Sequence, residues 1–380
     1  MRRQLDYVCL QPTREGQASH AHVNEIVAGL RRRGWEVQLI EPPHPRPGRL
    51  DGIRRAFAAA ATQLRYSIRC RLQPAPFVYI RTHFLSLPTA VLATAAGATV
   101  VQEVNGSSGD TYAAWPVLRP LHSLLSFAVN SQLRLADAVI AVTPGLRERV
   151  VRVTGRPGRC HVVGNGADVE RFRPMGGASI TAPPYVVFVG ALASWQGIDI
   201  ALSATKRPAW PADVVLVIAG DGKERDRVRA AASGNPRIRW LGTVPYAEIP
   251  PLMSEALGAL VPKNDVPSTQ FGLSPLKLFE AMASGVPVIA SDLPGLSDVV
   301  RRHDCGILFP AGDADALARA VSELAEDRGR TRAMGDRGRA AAVAYYSWDA
   351  RAGETEAVLL RAASKGTRSS RKKGFTTSRH

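Results

Sequence analysis

The chain has 380 residues, of which 45% are hydrophobic and 22% charged, and its formal net charge at pH 7 is +16. These proportions are typical of a folded protein with two domains of ordinary size and exclude extensive disorder. The four cysteines are far apart and form no C-x-x-C pair, so the spacing indicates neither a zinc site nor a disulfide framework. The N-terminal apolar run is too short for a secretory signal, and no uninterrupted apolar stretch reaches the length of a membrane-spanning helix. We therefore expect a cytoplasmic protein.

The first half of the sequence alternates short apolar runs with helical patterns. Apolar residues recur on one helical face between residues 21 and 33, and Gly34 ends that predicted helix. Alternation of this kind predicts a parallel, doubly wound sheet of the α/β class. The runs that we interpret as strands are 7–10, 37–40, 77–80, 99–104 and 138–142.

A segment rich in proline and glycine at 168–184 interrupts this pattern, and a second series of the same kind follows it. We predict a first domain at 1–170, a second at 171–345 and a basic, disordered tail at 362–380. Ligands of such sheets bind beyond the carboxyl ends of the strands. The predicted strands of the second series are 185–189, 214–219, 237–241, 258–261 and 286–290.

The most informative segment is 271–291. Ser274 is a favourable N-cap with a proline after it, which predicts a helix over 275–283. The free amides and the positive dipole end at the start of this helix suit a phosphate group. Glu280 lies further along the helix, where a carboxylate can accept hydrogen bonds from two ribose hydroxyls.

Other short motifs accompany this segment in a fixed order along nearly the whole chain, up to about residue 360. They are Gly16, His22-Val-Asn-Glu25, Asn165-Gly-Ala-Asp168, Gly220-Asp-Gly222, Gly306-Ile-Leu-Phe-Pro and Ser347-Trp348. In these motifs the sequence resembles the retaining family-4 glycosyltransferases of the GT-B fold.

The resemblance implies a GT-B architecture, in which two Rossmann-like domains face a central cleft and a helix at 346–361 crosses back to the first domain. It also implies the transfer of a sugar from a nucleoside-diphosphate sugar to a saccharide or lipid-linked acceptor, with retention of configuration. The leaving phosphate of such enzymes helps to deprotonate the acceptor, so the protein positions the substrates and stabilises charge. We expect no metal ion and no cofactor.

The resemblance places the donor site mainly in the second domain. Glu280 matches the second glutamate of the family's Glu-x7-Glu motif, which holds the ribose, and Leu276 matches a position near the diphosphate. The segment 242–246 matches the loop that lines the nucleobase, while Gly16 lets the first domain's backbone approach a substrate closely. The expected donor-binding residues are Gly16, Gly190, Gln196, Gly242, Val244, Lys263, Gly272, Leu273, Ser274, Leu276, Lys277 and Glu280.

Three positions depart from the family pattern. Gly272 stands where the first glutamate of the motif is expected, and Ala191 and Gln196 stand where an Arg and a Lys normally neutralise the diphosphate. Two phosphates in a cleft need compensating charge, of which helix amides supply only part. We therefore expect Lys263, Lys277 or both to replace the missing pair.

The loop after the predicted strand 99–104 also differs from the family, which often has a histidine there. This chain has Asn105, which can orient the donor sugar but cannot titrate. Glu103 is a candidate partner carboxylate, and His22 occupies a position of the family pattern. Asn105, Glu103 and His22 are therefore the residues that we predict on the catalytic side.

Some features have competing interpretations. Asp313-Ala-Asp315 is a literal D-x-D motif, but it precedes a helical pattern and is interpreted as a helix cap. The alternatives to a transferase are a GT-B sugar-nucleotide epimerase and a non-catalytic sugar- or nucleic-acid-binding protein. Because no nucleic-acid-binding motif appears and seven basic residues fall in the last twenty, we predict no nucleic-acid partner.

Two stretches in the first domain, 54–71 and 115–135, combine apolar residues at helical spacing, and the first also carries several arginines. One hypothesis is that they attach the protein to an anionic membrane surface, at the inner face of the membrane. The alternative is a core helix beside a solvated basic face.

Overall fold

The computed structural model describes residues 2–43, 51–106, 116–175 and 183–374. The chain divides into two compact units. The first comprises Met1–Gly164 together with Asp349–His380, and the second comprises Asn165–Trp348. The division at 164/165 falls slightly before the boundary that we predicted at 170/171.

A six-stranded, entirely parallel sheet forms the centre of the first unit. Its strands are β1 (Gln4–Cys9), β2 (Glu36–Ile40), β3 (Phe77–Arg81), β4 (Thr99–Val104), β5 (Ala138–Ala141) and β6 (Cys160–Val162). Their order is β2-β1-β3-β4-β5-β6, so the direction of winding reverses between β1 and β3. Tyr7 and Val8 are both buried although they point to opposite faces, which means that both faces of the sheet are covered.

The helices of the first unit lie between these strands. They are α1 (Ala18–Arg32), α2 (Asp51–Leu72), α3 (Leu87–Ala95), α4 (His122–Leu135) and α5 (Pro144–Thr154). The predicted helix at 21–33 corresponds to α1, whose apolar face buries Val23, Ile26 and Leu30. The helix α3 packs against both α2 and α4, so the three form a layer on one face of the sheet.

The second unit is also built on a six-stranded parallel sheet. Its strands are β7 (Tyr185–Val189), β8 (Val215–Ala219), β9 (Ile238–Gly242), β10 (Gly258–Val261), β11 (Val288–Ser291) and β12 (Gly306–Phe309). The order β12-β11-β10-β7-β8-β9 is that of a Rossmann sheet, with the reversal between β7 and β10. Successive residues of one strand, such as Val187 and Phe188, belong to separate buried clusters on the two faces.

Helices connect the strands of the second unit as a doubly wound sheet requires. They are α6 (Ile198–Ala204), α7 (Arg225–Gly234), α8 (Ile249–Ser254), α9 (Leu276–Ala283), α10 (Leu296–His303), α11 (Ala314–Glu326) and α12 (Arg328–Tyr345). The prediction of an α/β protein with two Rossmann-like parallel sheets is therefore confirmed.

The segment just before residues 176–182, which lie outside the described ranges, explains why the boundary between the units comes earlier than predicted. Phe172 is fully buried in the core of the second unit. The Arg339 guanidinium donates hydrogen bonds to the carbonyl oxygens of Val169, Phe172 and Ala283, at 2.8, 2.9 and 2.8 Å respectively. These contacts fix the segment to the second unit, although its composition resembles a linker.

The last helix, α13 (Trp348–Gly374), belongs to the first unit from Asp349 onward. Arg33 donates a hydrogen bond to the Asp349 carboxylate at 2.8 Å, and the Trp35 indole donates to the Glu356 carboxylate at 3.0 Å. The helix continues to Gly374 into the segment predicted as a disordered tail, and residues 375–380 lie outside the described residues. Within the described part of the chain, no helix is both long and apolar enough to cross a membrane.

Candidate active site

The strand order of the second unit predicts a ligand site between β7 and β10, and three expected donor residues meet there. The Lys277 ammonium donates a hydrogen bond to the Gln196 side-chain oxygen at 3.1 Å. The same ammonium lies 4.1 Å from the centre of the Phe188 ring. A Cβ atom at Gly190 would lie 3.3 Å from the Lys277 Nζ, so the absence of a side chain at 190 leaves room for the lysine.

The electrostatic environment of the two lysines is unusual. Burial lowers the pKa of Lys263 to about 8. Burial, followed by the charge of Lys263, holds the pKa of Lys277 well below its usual range, while the Glu280 carboxylate opposes this shift. Both shifts have a plain cause, because a desolvated amine loses hydration of its charged form and a second positive charge nearby disfavours that form further. That the two lysines replace the missing Arg–Lys pair stays a prediction.

Glu280 lies in the middle of α9 and is only 8% exposed. Burial raises the pKa of its carboxyl group to about 7, although the hydrogen bond from Tyr246 and the charge of Lys277 oppose the shift. The Tyr246 hydroxyl donates that hydrogen bond to Oε1 at 3.2 Å. The sequence pattern places Tyr246 only in the predicted nucleobase loop. The contact between Tyr246 and Glu280 could not be predicted from their spacing, because the two residues are far apart in sequence.

The start of α9 differs from the prediction by one residue. The helix begins at Leu276, and the extended Pro275 is its N-cap without a side-chain cap hydrogen bond. Ser274 does not cap the helix, because its hydroxyl accepts a hydrogen bond from the Asn165 backbone N–H at 3.0 Å. The Asn165 side-chain amide also donates to the Ser274 carbonyl. This pair of contacts fixes the loop before the helix.

The loop residues Gly272 and Leu273 precede Ser274. Gly272 has a φ of 83°, a conformation that L side chains rarely adopt. A glutamate at this position would therefore require a different loop backbone. The Leu273 N–H donates a hydrogen bond to the Pro294 carbonyl at 2.9 Å, and its side chain packs against the core of the second unit.

The segment expected to line the nucleobase follows β9. The Gly242 carbonyl accepts a hydrogen bond from the Gly220 N–H at 2.7 Å, which ties the end of β9 to the loop after β8. Val244 and Tyr246 pack against the buried core of the second unit. The loop is thus anchored at both of its ends.

In the first unit, Glu103 near the end of β4 is the centre of a buried cluster. Its Oε2 atom lies 2.9 Å from the His22 Nε2 and accepts hydrogen bonds from the Tyr7 and Tyr79 hydroxyls. Its Oε1 atom accepts a hydrogen bond from the Arg81 guanidinium at 2.8 Å. Burial alone would raise the pKa of this carboxyl, but His22, Arg81 and Tyr79 together hold it well below its usual range.

The Asn105 side-chain amide also donates to the Glu103 Oε1. The structure therefore brings together the three residues predicted on the catalytic side, which are Glu103, His22 and Asn105. Gly16 lies apart in the exposed loop between β1 and α1, with a φ of 85°. The roles of these residues in catalysis and binding stay predictions.

Sequence reasoning missed Tyr7, Tyr79 and Arg81. Tyr7 pairs with Tyr79, and Arg81 pairs with Glu103, across neighbouring strands. Tyr79 and Arg81 are two apart on β3, so strand periodicity places them on one face. Which residue they oppose depends on strand order and register, which a single sequence does not contain.

The D-x-D motif has the predicted structural role. The Asp313 carboxylate accepts a hydrogen bond from the Ala316 N–H at 2.8 Å and caps α11. Among the described residues, no group of three or more His, Cys, Asp or Glu side chains is arranged to hold a metal ion.

Two family models match the chain on either side of the gap at 176–182. The model described as "Glycosyltransferase Family 4" matches residues 19–171, and the model described as "Glycosyl transferases group 1" matches residues 183–327. The chain belongs to the family-4 glycosyltransferases. Its two parallel six-stranded sheets are those of the GT-B fold, and it is an enzyme of the transferase class.

Individual relatives of this glycosyltransferase support the same assignment. It is 28% identical over 362 residues to an alpha-maltose-1-phosphate synthase of Mycolicibacterium smegmatis, covering 86% of this chain and 91% of the relative. It is 28% identical over 280 residues to a GDP-mannose-dependent alpha-(1-6)-phosphatidylinositol monomannoside mannosyltransferase of Mycobacterium tuberculosis, covering 69% and 70%. Sucrose-phosphate synthase from Thermosynechococcus elongatus shares the fold, with a TM-score of 0.76, 19% identity and coverage of 96% and 100%.

Proposed function

We propose that this glycosyltransferase takes its sugar from a nucleoside-diphosphate donor bound by the second unit. The observation that carries the proposal is the pair of lysines, Lys263 and Lys277, whose pKa values are lowered by burial. A diphosphate beside them raises both pKa values again and converts an unfavourable burial into two charge-assisted contacts. The amides at the start of α9 add further donors.

Glu280 supplies the second part of the donor site. Its carboxylate accepts the ribose hydroxyls, and the buried position makes these hydrogen bonds strong. Because its pKa is about 7, ribose binding favours the ionised form and lowers that pKa. The name of the mycobacterial mannosyltransferase includes GDP-mannose, which fits a donor of this class.

The donor is tested by the thermal shift of the full chain with UDP, GDP, ADP and CDP and their common sugars, with and without EDTA. We expect one nucleotide to raise the unfolding midpoint of the wild type regardless of EDTA, and a much smaller rise for Glu280→Ala. Glu326→Ala is the matched control, because Glu326 is an exposed glutamate in the last turn of α11. The absence of a shift with every nucleotide would contradict the proposal.

The remaining parts of the reaction are also proposals. Transfer proceeds with retention of configuration and without a metal ion, because the lysines and helix amides stabilise the departing diphosphate. Asn105, held by Glu103, orients the donor sugar. NMR of the first-formed product tests the stereochemistry, since an α-linked donor should give an α-linked product and a β-linked product would contradict retention.

We propose an acceptor that is a saccharide or a lipid-linked saccharide, reached at an anionic membrane surface on its inner face. The layer of α2 and α4 carries exposed apolar side chains, which we call the apolar ridge. Its members and their exposed fractions are Phe57 (72%), Leu64 (64%), Ile68 (56%), Leu72 (75%), Leu124 (62%) and Phe127 (63%). Trp115, at the start of the second predicted stretch, lies outside the described residues.

The four residues of the ridge on α2 recur at helical spacing and form one stripe. Exposed arginines Arg54, Arg65 and Arg71 lie on the same helix and flank this stripe. An apolar stripe with flanking cations is typical of a helix that lies in the interface of an anionic bilayer. The surface therefore fits a membrane better than a solvated basic face.

Vesicle flotation tests the ridge. We expect the wild type to float with phosphatidylglycerol-containing vesicles and not with pure phosphatidylcholine, and we expect Phe57→Ser with Leu64→Ser to abolish flotation. Val343→Ser with Tyr345→Ser is the control, because it removes exposed apolar side chains from the second unit. Equal flotation of both double variants, or none for the wild type, would contradict membrane contact.

A further inference from the structure

The second unit contains a pocket that the proposed donor site does not use. Its volume is about 440 Å³, and it is formed by the loops that follow β7, β10 and β12. The residues that matter for its chemistry are Trp195, Asn264 and Asp265. Ser194, Val266, Ala311 and Gly312 contribute the rest of its wall.

Trp195 is the most unusual residue of this pocket. This residue is 51% exposed, whereas Trp35, Trp210 and Trp348 are at most 4% exposed. The Trp240 indole N–H is paired with the Gly220 carbonyl. No described residue accepts a hydrogen bond from the Trp195 indole. A large aromatic face in a concave, partly polar setting offers a platform for a ligand that is apolar on one side and polar at its rim.

The loops that carry the platform are held rigidly. Gly197 has a φ of 70°, and a Cβ atom there would lie 1.3 Å from the Pro262 carbonyl oxygen, so the two loops meet through their backbones. The Asn264 N–H donates to the Trp195 carbonyl at 3.3 Å, and the Asn264 side-chain amide donates to the Ser194 carbonyl at 2.7 Å. Trp195 is therefore presented by a fixed turn rather than by a free loop.

Polar atoms beside the indole remain available. One oxygen of the Asp265 carboxylate accepts a hydrogen bond from the Thr269 hydroxyl, and no described residue donates to the other oxygen. The Asn264 amide nitrogen is used by Ser194 and Asp199, while its oxygen accepts nothing from the described residues. Each residue therefore keeps one oxygen as a hydrogen-bond acceptor that is free of described partners. Its position is fixed because the other polar atom of the same side chain is already hydrogen-bonded to the protein.

We propose that this pocket binds a neutral saccharide unit. A pyranose ring presents a face of C–H groups, which packs on the Trp195 indole, and its hydroxyls donate to Asp265 and Asn264. None of the described lining residues is Lys or Arg, and the Asp265 carboxylate repels phosphate, so a nucleotide or phosphate does not fit this pocket. The ligand class is therefore an uncharged sugar within a longer saccharide.

The pocket adjoins the proposed donor site along the chain, because Trp195 precedes Gln196 and Lys263 precedes Asn264. The Gln196 side chain contacts the Lys277 ammonium of the proposed donor site at 3.1 Å, whereas its neighbour Trp195 lines the saccharide pocket together with Asn264. The pocket would hold a sugar of the acceptor or product beyond the one that reacts. This last assignment, but not saccharide binding itself, rests on the proposed function.

Saturation-transfer NMR and calorimetry of the full chain test the pocket with hexasaccharides of glucose, mannose, galactose and N-acetylglucosamine. We expect at least one to bind with a millimolar dissociation constant. Trp195→Ala should weaken it at least tenfold, and Trp195→Phe should retain binding within about threefold because the aromatic face remains. Inorganic phosphate and UMP should not displace the saccharide. Tyr345→Ala, which removes an exposed aromatic residue outside the pocket, should leave binding unchanged.

The outcomes separate this inference from the proposed function. Failure of all four hexasaccharides to bind, or equal binding by Trp195→Ala with unchanged circular dichroism, would overturn the pocket even if a nucleotide stabilises the wild type. Saccharide binding that depends on Trp195, without stabilisation by any nucleotide, would support the pocket and overturn the donor proposal. Displacement by phosphate would assign the pocket to an anion and overturn the inference.

Discussion

The two units each contain a cluster of buried ionisable groups, but the charges are balanced differently. In the first unit, the Glu103 carboxylate has hydrogen-bond partners on both oxygens, including the Arg81 guanidinium. In the second unit, Lys263 and Lys277 lie near each other, and Glu280 has one hydrogen bond from Tyr246. The first cluster is internally satisfied, whereas the second is not.

The pKa values follow this difference. That of Glu103 is held well below its usual range, so its charge is favoured by the fold. Those of Glu280 and the lysines are shifted toward the neutral forms, to about 7 for Glu280 and about 8 for Lys263. A buried charge with a full set of partners is tolerated by the fold, whereas one that lacks partners opposes folding and favours a ligand. We therefore interpret Glu103 as a positioning residue and the second cluster as a binding site.

The largest expected effect comes from Glu103→Gln. This change leaves the buried Arg81 guanidinium without its counter-charge, and breaking a buried pair in this way costs about 3 to 5 kcal/mol of stability. Urea unfolding of the variant should show the loss in the transition of the first unit. Glu148→Gln is the matched control, because Glu148 is an exposed glutamate on α5, and it should change stability by less than about 0.5 kcal/mol.

The pH dependence of the same variant sharpens the test. Because the pKa of Glu103 is lowered by folding from its ordinary value of 4.5, its contribution is fully present above that pH and is lost as the pH falls below it. The stability difference between wild type and Glu103→Gln should therefore be constant near neutrality and shrink only in acid. A variant as stable as the wild type at neutral pH would show that the cluster is not a structural anchor.

The second effect concerns the unsatisfied cluster. Lys277→Met keeps a side chain over the Phe188 ring but removes the charge, so nucleotide affinity should fall about 10- to 100-fold, as for a hydrogen bond to a charged group. The unliganded variant should be slightly more stable than the wild type, because a desolvated amine near a second lysine is gone. Calorimetry with the nucleotide that binds measures the first change, and thermal unfolding measures the second.

The control for this variant is Lys206→Met, which removes an exposed lysine from the same unit. It should leave nucleotide affinity unchanged. Equal affinities of Lys277→Met and the wild type would assign the diphosphate to another cation. A less stable unliganded variant would contradict the view that the amine is unfavourably buried.

The fold and part of the second cluster could be predicted from the sequence, whereas most contacts within the two clusters could not. Apolar runs and helix signals predicted the two sheets, because strand periodicity and glycine stops are local. The resemblance brought Lys277 and Glu280 into one site through their spacing on a helix. The pairing of Arg81 with Glu103 and of Tyr246 with Glu280 depends on register and loop path, which are long-range properties. The segment that ends at residue 175 is attached to the second unit by Arg339. This contact is also long-range, because Arg339 is far from the segment in sequence.

A third effect uses the raised pKa of Glu280. Between its ordinary value of 4.5 and about 7, the folded state binds more protons than the unfolded state. The stability of the wild type therefore falls as the pH rises through this interval. The Glu280→Gln variant does not show this fall, because a glutamine side chain does not titrate. Relative to the wild type, the variant should gain about 2 to 3 kcal/mol of stability between about pH 5 and pH 8 while losing nucleotide binding.

Unfolding midpoints across this pH interval measure the gain. Glu326→Gln is the matched control and should follow the wild type at every pH, because Glu326 is exposed. If Glu280→Gln also follows the wild type, the carboxyl group titrates near its ordinary value and the site is not strained by burial.

The smallest effect is expected from Tyr246→Phe, which removes one hydrogen bond to Glu280 and keeps the ring between Phe172 and Arg171. The hydrogen bond lowers the pKa of Glu280, so its loss should raise that pKa further above 7. Ribose binding requires the carboxylate, and the pH at which the nucleotide-induced thermal shift is half-maximal should therefore move upward. The loss of nucleotide-binding free energy should be about 0.5 to 1.5 kcal/mol at neutral pH. It should vanish in alkaline solution, where Glu280 is ionised in both proteins. An equal loss of nucleotide affinity at every pH would instead mean that the Tyr246 hydroxyl contacts the nucleotide directly. Tyr246 would then be a binding residue rather than one that acts through the pKa of Glu280.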